Sequence, residues 1–180
     1  MAKVVFCIGN GESRQSIDLI KLRPHGKIYG CNGLYRDFKP DVLTSVDGPM
    51  MHEVYQSGYD GELWLRDWNA LPAMTYNSVV YANLTLKDLG DRDRGWACGA
   101  SSGYVALKQN KDLETLYMVG HDLVSNTDTV NNMYKSTQNY ADEKNKPIPA
   151  VNWINQWQEL MNEFPKVKFI KVNPDGIKGN

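Results

Sequence analysis

At 180 residues, 42% of them hydrophobic and 23% charged, the chain can fill one core and is too short for two, so residues 1–180 are read as one domain and disordered or fibrous classes are excluded. Twenty basic against twenty-one acidic residues give a net charge of -1, with no Lys/Arg run able to neutralise a string of phosphates, so nucleic acid is not an expected partner. The three cysteines, Cys7, Cys31 and Cys98, are odd in number and lack a CxxC spacing, which argues against a disulfide framework and a structural zinc site and fits a reduced cytoplasm. No signal-peptide pattern opens the chain and no run reaches membrane-spanning length, so export and anchoring are not expected.

Residues 3–8 form a continuous apolar run ending in glycines, the pattern of a strand buried on both faces, read as the first, central strand of a parallel sheet. A helix is expected over 13–22, with Ser13 as its N-cap and Ile17, Ile20 and Leu22 on its inner face. Residues 27–31 and 41–46 read as strands, 50–57 as a short helix, and 62–65 and 78–81 as weaker strands around an aromatic-rich segment. Further on, 102–109 reads as a helix, 116–119 as a strand and 151–164 as an amphipathic helix. Its buried stripe is Trp153, Ile154, Trp157, Leu160, Met161 and Phe164, and residues 167–172 close the sheet. Residues 125–149 are polar and without periodicity, either a surface loop or a lid. The alternation of strand and helix specifies a single α/β domain of Rossmann-like design, a mostly parallel central sheet with helices on both faces.

In such folds ligands bind at the carboxyl ends of the strands. Those ends carry Gly9-Asn10-Gly11-Glu12-Ser13, Asn32-Gly33, Asp47-Gly48-Pro49, Gly120-His121-Asp122 and Asn173 to Gly176. Gly9 and Gly11 permit close backbone approach, and the helix start after them would offer unpaired N–H groups to a phosphate, although a purely structural turn would use the same residues. Ser102 and Gly103 stand at the expected start of another helix, able to cap it or to donate to a ligand. His121 and Asp122 sit where a general base or a sugar-hydroxyl acceptor acts, His52 is a further base candidate, and His25 reads as a surface residue. No spacing among His, Cys and carboxylates suggests a metal site. Trp64, Trp68 and Trp96 serve either stacking or packing, and Tyr55, Tyr59, Trp64 and Trp68 either a dimer surface or the core.

In this order the motifs resemble the bacterial sialyltransferases of glycosyltransferase family 42 and related viral and bacterial proteins with a Gly-Asn-Gly-Pro-Ser turn. The resemblance rests on Gly9 to Ser13, Ile17-Asp18, Leu22-Arg23-Pro24, Cys31-Asn32, Val46 to Pro49, Ser101-Ser102-Gly103, Gly120-His121-Asp122 and Val172-Asn173-Pro174. It implies that Gly9, Asn10, Gly11, Ser13, Asn32, Ser102, Gly103 and Asp122 contact a cytidine-monophosphate-linked sugar, and that Tyr134 and Tyr140 hydrogen-bond the leaving phosphate. Here Glu12 replaces the proline, Asp47 stands where the family tends to have asparagine, and 125–149 contains no histidine, so the base is unassigned among Asp47, His121, Asp122 and His52. Three readings stay open. The first is a glycosyltransferase-like enzyme that transfers a nucleotide-activated sugar without a metal. The second is a non-catalytic nucleotide-binding accessory module, in the host cytoplasm if viral. The third is a magnesium-dependent pyrophosphoryl or nucleotide transferase recruiting Glu12, Asp47 and Asp122.

Overall fold

Val4–Ile8 offers nothing polar to either of its faces, and it occupies the place where both are covered: the middle of the sheet. A computed structural model describes residues 2–66, 83–85, 94–123 and 128–172. Their elements are strands β1 (Val4–Ile8), β2 (Lys27–Cys31) and β3 (Val42–Ser45), helix α1 (Gly48–Gln56), strands β4 (Glu62–Leu65) and β5 (Asn83–Thr85), helix α2 (Cys98–Gln109), strand β6 (Thr115–Val119), helix α3 (Val151–Glu163) and strand β7 (Lys168–Val172). The seven strands run in the order β5-β4-β3-β2-β1-β6-β7, each pair parallel, with Cys7 of β1 level with Tyr29 of β2 on one side and Met118 of β6 on the other. The chain builds outward from β1 to β5, returns across the sheet and resumes at β6. The gap between the ends of β1 and β6 is therefore the topological switch point, where a crevice opens.

Strand alternation divides the core into two layers. Val5, Cys7, Tyr29, Leu116 and Met118 face α2 and α3, whereas Phe6, Ile8, Ile28, Leu43 and Leu63 face α1, Leu19 and Leu34. Each fully buried side chain of this size contributes about 1.5–3 kcal/mol, so both layers hold the strand ends in register. Trp64 and Tyr59 are buried core residues, which removes them from any stacking or dimer surface. The three cysteines are free and buried. Among the described residues, no helix is long and apolar enough to cross a membrane.

Three expectations need correction. The segment expected as one helix over 13–22 forms two 3-10 segments, Glu12–Ser16 and Leu19–His25, separated by extended Ile17. Asp18 caps the second by accepting from Ile20 N at 3.1 Å, so the break is encoded by a β-branched residue followed by a cap. Helix α2 starts at Cys98, four residues before the expected start. It is buried from Ala100 to Leu107, and a helix covered all round has no amphipathic stripe to mark its beginning. In α3 only Trp157 and Leu160 are buried, and Met161 is 37% exposed, because the helix meets the core at its contact with α2. The strand expected at 78–81, Trp68 and the end at Asn173 to Gly176 lie outside the described residues.

Candidate functional site

The ends of β1 and β6 are locked together by backbone alone. Gly9 N donates to Val119 O at 2.7 Å and Gly11 N to Gly120 O at 2.8 Å. A Cβ on Gly9 would lie 2.6 Å from Gly120 O, so glycine is required by the approach itself. Gly120 has φ 70, which favours glycine independently. Above this junction is a cleft of about 610 Å³. Gly9, Asn10 and Gly11 form one wall, Cys31, Asn32 and Asp47 a second, and His121 and Asp122 a third. Cys98, Gly99 and Ala100 of α2, Trp153, Gln156 and Trp157 of α3, and Asn131, Tyr140 and Lys146 of the loop complete it.

Residues 128–149 carry no helix or strand, yet they are tied down over the strand ends. Met133 N donates to Asn10 O at 2.8 Å, Asn139 Nδ2 to Glu53 Oε2 at 2.7 Å, and Arg36 to Thr137 Oγ1 at 2.7 Å and Gln138 O at 2.8 Å. Arg36 is itself clamped by both oxygens of Glu53 at 2.7 Å. Burial alone would push the Glu53 carboxyl up, but hydrogen bonds from Arg36, Tyr35 and Asn139 overcome it and leave it below the usual carboxylate range.

Within the cleft, Asn10 is 8% exposed and its orientation is set by two donations, Nδ2 to Cys31 O at 3.1 Å and to Tyr140 Oη at 3.3 Å. Tyr140 Oη also accepts from Gly33 N at 2.8 Å, so both its lone pairs are used and its proton is left for another acceptor. Burial raises the Tyr140 phenol, keeping that proton in place at neutral pH. Asn32 takes φ 49 at the end of β2 and accepts from Ser45 Oγ at 3.3 Å. Asp47 is exposed at the rim; it occupies the N-cap position of α1 without a side-chain capping bond.

Several residues singled out from the sequence are engaged elsewhere. The first turn is not an open phosphate cradle. Glu12 N donates to Asn131 Oδ1 at 2.8 Å, Ser13 N to Asp122 Oδ2 at 3.1 Å, Ser13 Oγ to Asp122 Oδ1, and Arg14 N to Gly11 O at 3.3 Å. Ser13 and Asp122 thus satisfy each other. Ser102 donates to Gly30 O at 3.3 Å in the core, and Gly103 is small because a Cβ there would meet the Trp157 ring at 2.6 Å. Tyr134 is 7% exposed and outside the cleft, accepting from Arg14 Nη2 and donating to Asp37 Oδ2, both at 2.8 Å. His25 is exposed, and His52, on α1, does not line the cleft. Glu12 pairs with Lys135 at 2.5 Å, and among the described residues no group of three or more His, Cys, Asp or Glu is arranged to hold a metal ion.

The open helix start in this site was expected from the sequence at Ser102 and Gly103, four residues beyond where it lies. Helix α2 begins at Cys98 with no side-chain cap on Ala97, and Cys98, Gly99 and Ala100 all line the cleft. The first amides of a helix have no intrahelical partner and carry the positive end of the helix dipole. Ala97 N itself is held by Gln156 Oε1 at 3.0 Å, which fixes the direction in which the helix opens. The only signal available was the small-residue run Ala97-Cys98-Gly99-Ala100.

This arrangement defines an α/β protein of Rossmann-like design with its cleft at the switch point. No protein-family model and no curated protein matches the chain. Two solved structures of the sialyltransferase CstII from Campylobacter jejuni share the fold. The first, in complex with cytidine-5'-monophosphate, has TM-score 0.50 and 15% identity over 98% of this chain and 82% of that one. The second, in complex with CMP-3FNeuAc, has TM-score 0.50 and 17% identity over 97% of this chain and 81% of that one. The chain therefore has a sialyltransferase-like fold.

Proposed function

We propose that the cleft binds a nucleotide-activated sugar, of the cytidine-monophosphate class, and transfers the sugar to an acceptor hydroxyl. The observation that carries this reading is that Tyr140, whose hydroxyl accepts two hydrogen bonds and keeps its proton to donate, and the uncapped start of α2 line one cleft at the switch point. As the bond between the sugar and the phosphate oxygen breaks, negative charge gathers on the phosphate, and preorganised donors at that position stabilise it. The α2 amides, Tyr140 Oη and the exposed Lys146 at the rim supply them. The fold shared with an enzyme described as bound to cytidine-5'-monophosphate supports the nucleotide class.

Titration of the purified protein with cytidine monophosphate and its sugar conjugate, followed by calorimetry, tests the reading. Tyr140→Phe removes one donor to the phosphate, and its affinity is expected to fall about ten-fold. Absence of binding by the folded wild-type protein would refute the proposal.

For the acceptor proton, the cleft lining contains two carboxylates among the described residues, Asp47 and Asp122, and Asp122 is committed to Ser13. Asp47 is thus the proposed base. Asp47→Asn is expected to lower transfer or hydrolysis of the nucleotide sugar about 100-fold or more while leaving nucleotide affinity within about two-fold. The engagement of Asp122 and the burial of His121 favour, as a second reading, a binding module without turnover; a wild-type protein that binds the conjugate and never cleaves it would select that one.

A further inference from the structure

Two side chains in the floor of the cleft have hydrogen-bonding atoms with nothing to bond. Asn10 Oδ1 and His121 Nε2 are both buried without a partner, and each residue is only 8% exposed. Both belong to the switch point. Asn10 follows Gly9, and the His121 ring packs over Gly9, its Nδ1 lying 2.9 Å from where a Gly9 Cβ would be. Their chemical sense is determined by what surrounds them. The Asn10 amide cannot turn over, because its NH₂ group faces Cys31 O, so Oδ1 is the end left over. The imidazole hydrogen-bonds the Cys7 backbone, and burial, outweighing Asp122, lowers its pKa to about 4, so it is neutral. A neutral ring that donates through Nδ1 leaves Nε2 as an acceptor. Trp157 packs T-shaped against the ring with centroids 5.0 Å apart and makes no hydrogen bond to Nε2.

The cleft thus offers both hydrogen-bonding senses. Donors cluster at Tyr140 and the start of α2, and the two unsatisfied acceptors stand next to them, Asn10 hydrogen-bonded to Tyr140 and the His121 ring packed against Gly99 as well as Gly9. We propose that Asn10 Oδ1 and His121 Nε2 form a two-acceptor subsite that takes the hydroxyl protons of the ligand's ribose, making His121 a specificity-determining residue and not the general base. The inference rests on the nucleotide-binding reading above and adds the polarity of the group that is read. A buried acceptor left empty costs free energy, so a ligand lacking the hydroxyl leaves the subsite unpaid and is rejected.

Calorimetric titration of the wild-type protein with cytidine monophosphate and with its 2'-deoxy, 3'-deoxy and 2',3'-dideoxy forms provides the test. Each missing hydroxyl is expected to weaken binding about ten-fold. His121→Leu keeps the bulk and deletes the acceptor, and should bring the ribose and dideoxy affinities at least ten-fold closer together; His121→Gln, which retains an acceptor, should restore part of the preference. Equal wild-type affinity for the ribose and dideoxy forms overturns the subsite while leaving nucleotide binding standing, and would mean that a fixed water fills the two acceptors. Failure of every nucleotide to bind would instead overturn the underlying reading. Should His121→Leu not fold, the wild-type series still decides the proposal.

Discussion

Gly9→Ala is expected to destabilise the protein by about 2–3 kcal/mol and to eliminate ligand binding at the cleft. The added methyl would lie 2.6 Å from Gly120 O, 3.0 Å from Gly120 C and 2.9 Å from His121 Nδ1. Two of these three atoms are backbone, tied to β1 by the Gly11 N to Gly120 O bond at 2.8 Å, so no rotamer change relieves the clash. The carboxyl ends of β1 and β6 must move apart, and that separation displaces Asn10 and His121 together. For a chain of this length the loss corresponds to roughly 5–10 °C in melting temperature. Gly58→Ala is the matching control: Gly58 has φ 75 but nothing within 4 Å, so it should cost about 1 kcal/mol in backbone strain and leave the cleft intact. Thermal melts and calorimetry on both variants check the contrast. Equal destabilisation of the two, with binding retained in Gly9→Ala, would show that the switch-point junction is not rigid.

The framework was legible because its signals are local. A doubly buried central strand must be apolar at every position, and Val4 to Ile8 is; a parallel neighbour must end in small polar residues if a cleft lies beyond it, as Cys31-Asn32-Gly33 does. Where local chemistry was silent, the reading slipped. Helix α2 is buried on all sides, so nothing in its pattern distinguishes Cys98 from Ser102 as a first residue. Four residues of shift are enough to exchange the roles of two segments: the cleft is lined by Cys98 to Ala100, while Ser102 and Gly103 pack against Gly30 O and Trp157.

The site itself was harder to read, because its decisive bonds join residues distant in sequence. Ser13 and Asp122 are 109 positions apart, and each looks like a ligand group until the other is placed beside it. Tyr134 and Tyr140 stand in the same polar segment with no difference in their neighbours that predicts their fates. Arg14, buried at 5% exposure, draws the Tyr134 hydroxyl beneath the first turn, whereas Gly33 N and Asn10 Nδ2 hold that of Tyr140 in the cleft. The motif order pointed to the end of the sheet where the cleft lies, and the long-range hydrogen bonds decided which members of each motif line it.

Between neutral pH and about pH 4.5 the main pH effect on stability is expected from His121. Burial, larger than the opposing influence of Asp122 and the Cys7 backbone, lowers its pKa from 6.5 to about 4. The unfolded chain therefore binds a proton that the folded chain refuses between these two values, and the folded state loses stability as pH falls through that window. Above pH 6.5 the contribution is fully present, and below about 4 no more is lost through this group. The gap corresponds to about 3 kcal/mol. Glu53 also has a lowered pKa, but its ordinary value is 4.5, so its loss falls below that pH and leaves the range from 6.5 to 4.5 to the histidine. Urea denaturation should show stability dropping by about 2–3 kcal/mol between roughly pH 7 and pH 4.5 in the wild-type protein. His121→Phe, which fills the space against Trp157 without a titrating group, should remove most of that drop. If the variant loses stability with acid as steeply as the parent, the imidazole is not the group that resists protonation in the folded protein, and its neutral, accepting form in the cleft loses its physical basis.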